Sequence, residues 1–167
     1  MLKARSGVYH PAEYEDPRSW KSRPVRGSVK PGDLFVYNNW DFNVLGSIFN
    51  DNCGTDVFTA FDDTIAKPLK MQDFDKAKHT KWVFDHNVSD HPAYTFALPT
   101  RDLARIGKLM ANRGEFDNIK VLSFEWIKKS VDLYSPQKEG AISGYGMLWW
   151  VASPSKPRNR AFWASGN

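Results

Sequence analysis

"FVYNNWDFNVLGSIF", residues 35–49, joins a short aromatic run to a segment of helical spacing. Phe42, Leu45 and Phe49 recur at i, i+3 and i+7, and Gly54 supplies a stop, so a helix is predicted after Asn38 or Asn39. Either asparagine fits the N-cap, where a short side-chain oxygen accepts a free N–H of the first turn. Tyr37 is not needed for that cap. The triplet Tyr37-Asn38-Asn39 therefore reads either as a buried aromatic followed by a cap or as part of an active site, and Asn39 can serve in both.

Working outward, residues 7–34 hold Pro11, Pro17, Pro24 and Pro31 with Gly27 and Gly32 and no sustained period, which predicts an ordered loop. Thr55 or Asp56 caps a second helix with Phe58, Phe61 and Ile65 inward, ended by Pro68. Residues 72–99 are polar and aromatic without a period and are expected to be loop. Thr100 is expected to cap a third helix with Leu103, Ile106 and Met110 inward and Arg101, Arg105 and Lys108 outward, closing at Gly114. Ser123 caps a fourth that carries Trp126 and Ile127, with Glu125 in the first turn where the helix dipole favours an anion. "YGMLWWV" at 145–151 and "RAFWA" at 160–164 are aromatic and β-prone, and read as strands. Helices first and strands last predict an α+β protein. The expected organisation is one partial domain, 1–167: ordered loop over 1–34, mostly helix over 35–135, sheet strands over 144–167.

A chain of 167 residues with 41% hydrophobic and 25% charged residues has the balance of a soluble globular domain. The net charge of +4 is mild, and its cations are spaced by prolines and aromatics, so no nucleic-acid partner is expected. Cys53 is the only cysteine, which rules out an internal disulfide and reads as a buried or idle thiol. No apolar run is long enough to span a bilayer. The compartment and the oligomeric state are not legible.

The order of these pieces resembles the serine β-lactamase and penicillin-recognising hydrolase superfamily. "KPGDLFVYNNWDFNVLGSIF" is similar to its sequence of a Pro-Gly pair, an aromatic strand, Tyr-x-Asn and a Leu-Gly-bearing helix. "FDDTIAKPLKMQDF" resembles its next helix and Pro-Leu-Gly-Met-like turn, with Lys70 where glycine is usual. "LPTRDLARIGKLMANRG", "VLSFEWIKKS" and "SGYGMLWWV" resemble the segments that follow, and "RSGVYHPAEYE" a Ser-Gly turn after the catalytic helix. Within the superfamily the likeness is to the class C, esterase and nylon-oligomer hydrolase branch. The resemblance implies the helical subdomain of a β-lactamase/transpeptidase-like fold with a few strands of its antiparallel sheet.

It also implies a chemistry. In the family a serine and a lysine one helical turn apart form Ser-x-x-Lys, and the tyrosine approaches both. A free phenol, with a pKa of about 10, is a poor base at neutral pH. A neighbouring ammonium would stabilise the phenolate and let it take the serine proton. On this resemblance Tyr37 relays protons and Asn39 donates an amide hydrogen bond to the substrate or lysine. The substrate would be a small ester, amide or β-lactam, passing through an acyl-enzyme with no metal and no cofactor. "FWASGN" is similar to the strand that carries the family's Lys-Thr-Gly or its equivalent, so Ser165 and Gly166 are candidate substrate contacts. Tyr94 is a further one, on a loop that runs near the cleft in the family.

The departure is equally plain. No Ser-x-x-Lys precedes Tyr37. The literal matches, Ser135-Pro136-Gln137-Lys138 and Ser153-Pro154-Ser155-Lys156, follow it and carry proline in loop-like stretches. The chain is therefore expected to be incomplete at both ends and inactive as it stands, with a non-catalytic ligand-binding module as the alternative. Trp149, Trp150 and Trp163 are expected in the core rather than on a sugar-stacking platform. His79, His86 and His91 with Asp85 and Asp90 fit no metal-ligand spacing and are expected to be solvated or hydrogen-bonded.

Overall fold

The computed structural model describes residues 1–136, 143–152 and 161–165. In chain order the elements are α1 (Pro17–Lys21), α2 (Asn39–Cys53), α3 (Val57–Phe61), a π-helical turn (Asp62–Ala66), α4 (Lys76–His79), β1 (Thr80–Val83), β2 (Ala93–Phe96) and α5 (Thr100–Ala111). After these come β3 (Glu115–Phe116), β4 (Ile119–Lys120), α6 (Phe124–Ser130), β5 (Ser135–Pro136), β6 (Ser143–Tyr145), β7 (Trp150–Ala152) and β8 (Phe162–Trp163). β1 and β2 form one antiparallel hairpin, β3 and β4 another, and the last strands a sheet in the order β5-β6-β7-β8. The architecture is α+β, as the succession of helices and strands predicts.

Local chemistry accounts for most boundaries. Asn38 caps α2 by accepting the N–H of Asp41 at 2.8 Å, and Gly54 closes it in the left-handed conformation that glycine adopts without a steric cost. Asp56 caps α3 through the N–H groups of Phe58 and Thr59. Ser123 caps α6 through the N–H of Trp126. Lys70, at the position where the resemblance calls for glycine, holds a φ of 51° in the turn after the π-helical segment.

Several expectations fail, each for a physical reason. Residues 72–99 are not a plain loop: α4 and the β1–β2 hairpin lie there, with Trp82 opposite Tyr94. Four-residue strands are too short to show a period. Thr100 opens α5 rather than capping it; Pro99 holds the cap position and offers no side-chain acceptor. Leu103 is half exposed, because the buried face of α5 runs through Asp102, Ile106 and Leu109. "YGMLWWV" is not one strand but the bend between β6 and β7, where Leu148 takes a φ of 64°. Of the two readings of Cys53, buried or idle, the buried one fails: it is exposed at the end of α2. Within residues 7–34, α1 interrupts the loop.

The interior is divided into neighbouring clusters. Leu69, Leu109 and Phe116 form a buried nucleus with Ile65, Met71, Ile106, Val121 and Leu122 against it. An aromatic layer of Phe58, Phe61, Phe74, Trp82 and Phe96 ties α3 to the first hairpin. The third cluster, Phe35, Tyr37, Tyr145 and Trp150, joins the start of α2 to the sheet. A strap over residues 1–5 ties the stretch before α2 to the last sheet. The carbonyls of Leu2 and Lys3 accept from Leu148 and Ser135, and those of Ala4 and Arg5 accept from Val36 and Gly32.

Candidate active site around Tyr37

The two asparagines of the opening triplet divide the work. Asn38 is buried; besides capping α2 it donates through Nδ2 to the Val36 carbonyl at 2.8 Å. Asn39, released from capping, is the first helical residue and donates one amide proton to the carbonyl of Tyr14. An amide nitrogen has two protons, so a second donor remains for a ligand.

Tyr37 is fixed by rings on three sides. It stacks on Trp150 with centroids 5.6 Å apart and an interplanar angle of 25°, and meets Phe42 at 5.4 Å and Tyr145 at 6.0 Å edge-on. Burial raises its phenol above the ordinary value. Tyr145 is pushed up further, first by burial and then by Tyr37 and Asp41. Trp150 lies on β7 opposite Trp163 of β8, and Ser165 is exposed two residues beyond that pair. The Tyr-x-Asn turn thus opens where the helical layer meets the sheet, and Ser165 follows the strand beside the one that holds Tyr37. Gly166 lies outside the described residues.

Tyr94 is placed elsewhere. Its ring covers Gly46 of α2, about two turns past Asn39, so closely that a Cβ on Gly46 would sit 2.4 Å from it. It is a packing residue between α2 and the first hairpin, with its phenol also raised by burial. Ser135 is fully buried on β5 and donates to the Lys3 carbonyl at 3.0 Å. Lys138 and the segment Ser153-Pro154-Ser155-Lys156 lie outside the described residues. Among the described residues no group of three or more His, Cys, Asp or Glu could hold a metal ion, and no helix is long and apolar enough to cross a membrane.

Hydropathy reading missed two neighbours of this region. The first is a row of rings, His10, Trp40 and His91, with centroids 5.6 and 5.7 Å apart, in which His91 Nδ1 lies 3.0 Å from Ser47 Oγ. Burial, then Arg26, Arg23 and His91, lower the pKa of His10. The second is Asp41, in the first turn of α2 and only 1% exposed. Neither carboxyl oxygen has a hydrogen bond of standard geometry. Desolvation raises its pKa and outweighs the favourable effect of Ser6, the chain's amino terminus and Asn38.

That assignment has a measurable sign. A carboxyl whose folded pKa lies above its unfolded value stabilises the fold fully below the unfolded value, about 3.9, and less as pH rises through the folded one. Asp41→Asn is accordingly expected to raise stability near pH 7 by about 1–3 kcal/mol and to leave it nearly unchanged near pH 3. Thermal melts across that range check it; a variant less stable than the parent at pH 7 would show the charge to be welcome.

No protein-family model matches the chain, and no curated protein matches it. Solved structures do. The octameric penicillin-binding protein homologue of Pyrococcus abyssi aligns with a TM-score of 0.59 at 19% identity, over 92% of this chain and 42% of that one. A penicillin-binding protein of Bacillus halodurans aligns with a TM-score of 0.59 at 18% identity, over 91% of this chain and 56% of that one. The chain has the α+β fold of penicillin-binding-protein homologues, over about half the length of the two it aligns with.

Proposed function

We propose that residues 37–39 form the proton-relay and amide part of a serine acyl-transfer site whose nucleophilic serine and lysine belong to polypeptide preceding this sequence. The observation that carries the reading is the seating of Tyr37 on Trp150, at the junction of the helical layer and the sheet. The family order of the surrounding segments supports it. In the completed site the serine Oγ attacks the carbonyl carbon of an ester, amide or lactam. Tyr37 as phenolate takes the Oγ proton and returns it to the leaving oxygen or nitrogen, and water then releases the acid. Asn39 holds the substrate through its free amide proton. Burial alone works against a phenolate at Tyr37, so an ammonium within about 4–6 Å is the part this reading requires.

The branch nearest to class C enzymes, esterases and nylon-oligomer hydrolases belongs to the same proposal, as does the partial-domain organisation. The test is a chain extended by the genomic sequence on both sides. It is expected to show a burst of p-nitrophenol from a p-nitrophenyl ester, and Tyr37→Phe to lower kcat about 10²- to 10⁴-fold with an unchanged melt. Normal turnover by Tyr37→Phe would remove the relay role.

A second reading, a non-catalytic module that binds the same ligands, is favoured by one observation. No charged group among the described residues contributes to the shift at Tyr37. Its signature is saturable binding of the ester without release of p-nitrophenol.

A further inference from the structure

An open groove of about 570 Å³ runs along the N-terminal strap, on the side of α2 that carries Leu45 and Ile48. That volume is in the usual range for a small-molecule site. Met1, Leu2, Leu45, Ile48, Tyr134 and Met147 line it, together with Gly32 and the cations Lys3 and Arg5; none of the lining side chains is acidic. Lys3 Nζ rests 3.8 Å from the centre of the Tyr134 ring. Arg5 donates through Nη1 to the Gly32 carbonyl at 3.1 Å, and its Nε has no acceptor. Among the described residues neither cation has a carboxylate partner, so both charges are unmatched beside apolar walls. The strap is tied on both sides, to Ser135 and Leu148 and to Gly32 and Val36, so the walls are in place before anything binds.

From the apolar lining and the two unmatched cations we infer that this groove binds a small apolar monocarboxylate, with the tail along Leu45, Ile48 and Met147 and the carboxylate at Arg5 and Lys3. Arg5 Nε is buried, so the outer N–H groups of the guanidinium are the ones that meet the carboxylate, and the lysine adds a second point charge. An alcohol or amine of the same length would gain the tail contacts and miss the head. The groove is separate from the rings around Tyr37, and decanoate binding is read on this chain, without the polypeptide that the acyl-transfer reading adds before Met1.

Sodium decanoate, added to the full chain below its aggregation concentration, tests this with ¹³C-methyl methionine as the reporter. Met1 and Met147 line the groove, whereas Met71 and Met110 lie elsewhere and serve as internal controls. Decanoate is expected to shift the first pair saturably and leave the second in place. Each added methylene should tighten binding about fourfold, and decanol should bind at least about tenfold more weakly. Arg5→Gln and Lys3→Gln should each weaken decanoate about five- to tenfold without affecting decanol. Ile48 is 44% exposed, so Ile48→Glu should fold and abolish binding even where Arg5→Gln loosens the strap. Equal affinity for decanol and decanoate, or equal shifts at all the methionines, overturns the inference. So does self-association through the groove that decanoate fails to reverse, which would make it an interface between copies of the chain.

Discussion

Asp102→Ala is expected to destabilise the chain by about 3–5 kcal/mol, a large share of the total for a domain of this size. Asp102 is fully buried on α5. Its Oδ1 accepts the N–H of Gln72 at 2.9 Å, and its Oδ2 accepts those of Asp73 and Phe74 at 3.0 and 2.7 Å. Successive backbone N–H groups converging on one carboxylate make an anion nest, and each bond is charge-assisted. Arg105, 3.8 Å from Oδ1, supplies the counter-charge and donates onward to the Leu69 carbonyl. Alanine would leave the three N–H groups without acceptors and the guanidinium without its partner. Asparagine should recover less than half of the loss, since its NH₂ would face a backbone donor. Urea unfolding of the two variants measures this, and a loss under about 1 kcal/mol for Asp102→Ala would show that water or another acceptor takes over.

Gly114→Ala should cost about 3 kcal/mol or more, again read from denaturant unfolding. Gly114 has a φ of +95°, and a Cβ there would lie 2.2 Å from the Leu122 carbonyl oxygen. That oxygen belongs to backbone and cannot turn aside. Gly114 also donates to Leu109 and accepts from Val121 and Leu122, so any displacement is transmitted to the Leu69–Leu109–Phe116 nucleus. Gly107, seven positions earlier on α5, is the control: nothing lies within 4 Å of its Cβ position. Gly107→Ala should stabilise by up to about 1 kcal/mol, since alanine loses less chain entropy in a helix interior. Equal effects at both positions would mean that the close approach at Gly114 is not the cause.

These sites also mark where sequence reading stops. α2 was legible because an asparagine cap, an apolar period and a terminal glycine all fall within one local stretch. The capped starts at Asp56 and Ser123 were legible for the same reason. The buried face of α5 was not, because Asp102 occupies a position that hydropathy assigns to solvent, and its acceptors' partners lie about 30 residues away. The hairpin of Trp82 and Tyr94 was hidden because its pairing depends on contacts with α2 and α3 rather than on any period of its own. At the candidate site, Tyr37 and Asn39 were conspicuous as a motif. The seat that Trp150 gives Tyr37 depends on a sheet more than a hundred residues downstream, and Asp41 is met by Ser6, far upstream of its helix.

The strap over residues 1–5 sets an order of events in the cell. Its partners include Ser135 and Leu148, so residues 1–5 must wait for segments well over a hundred residues later in the chain before these hydrogen bonds can form. Contacts around Leu69, Leu109 and Phe116 are nearer in sequence and can form earlier. During that delay Met1, Leu2 and the apolar side of α2 stay uncovered, which is when a nascent chain is most open to chaperones or to aggregation. Expression yield of this chain should therefore follow synthesis rate and chaperone supply more closely than equilibrium stability.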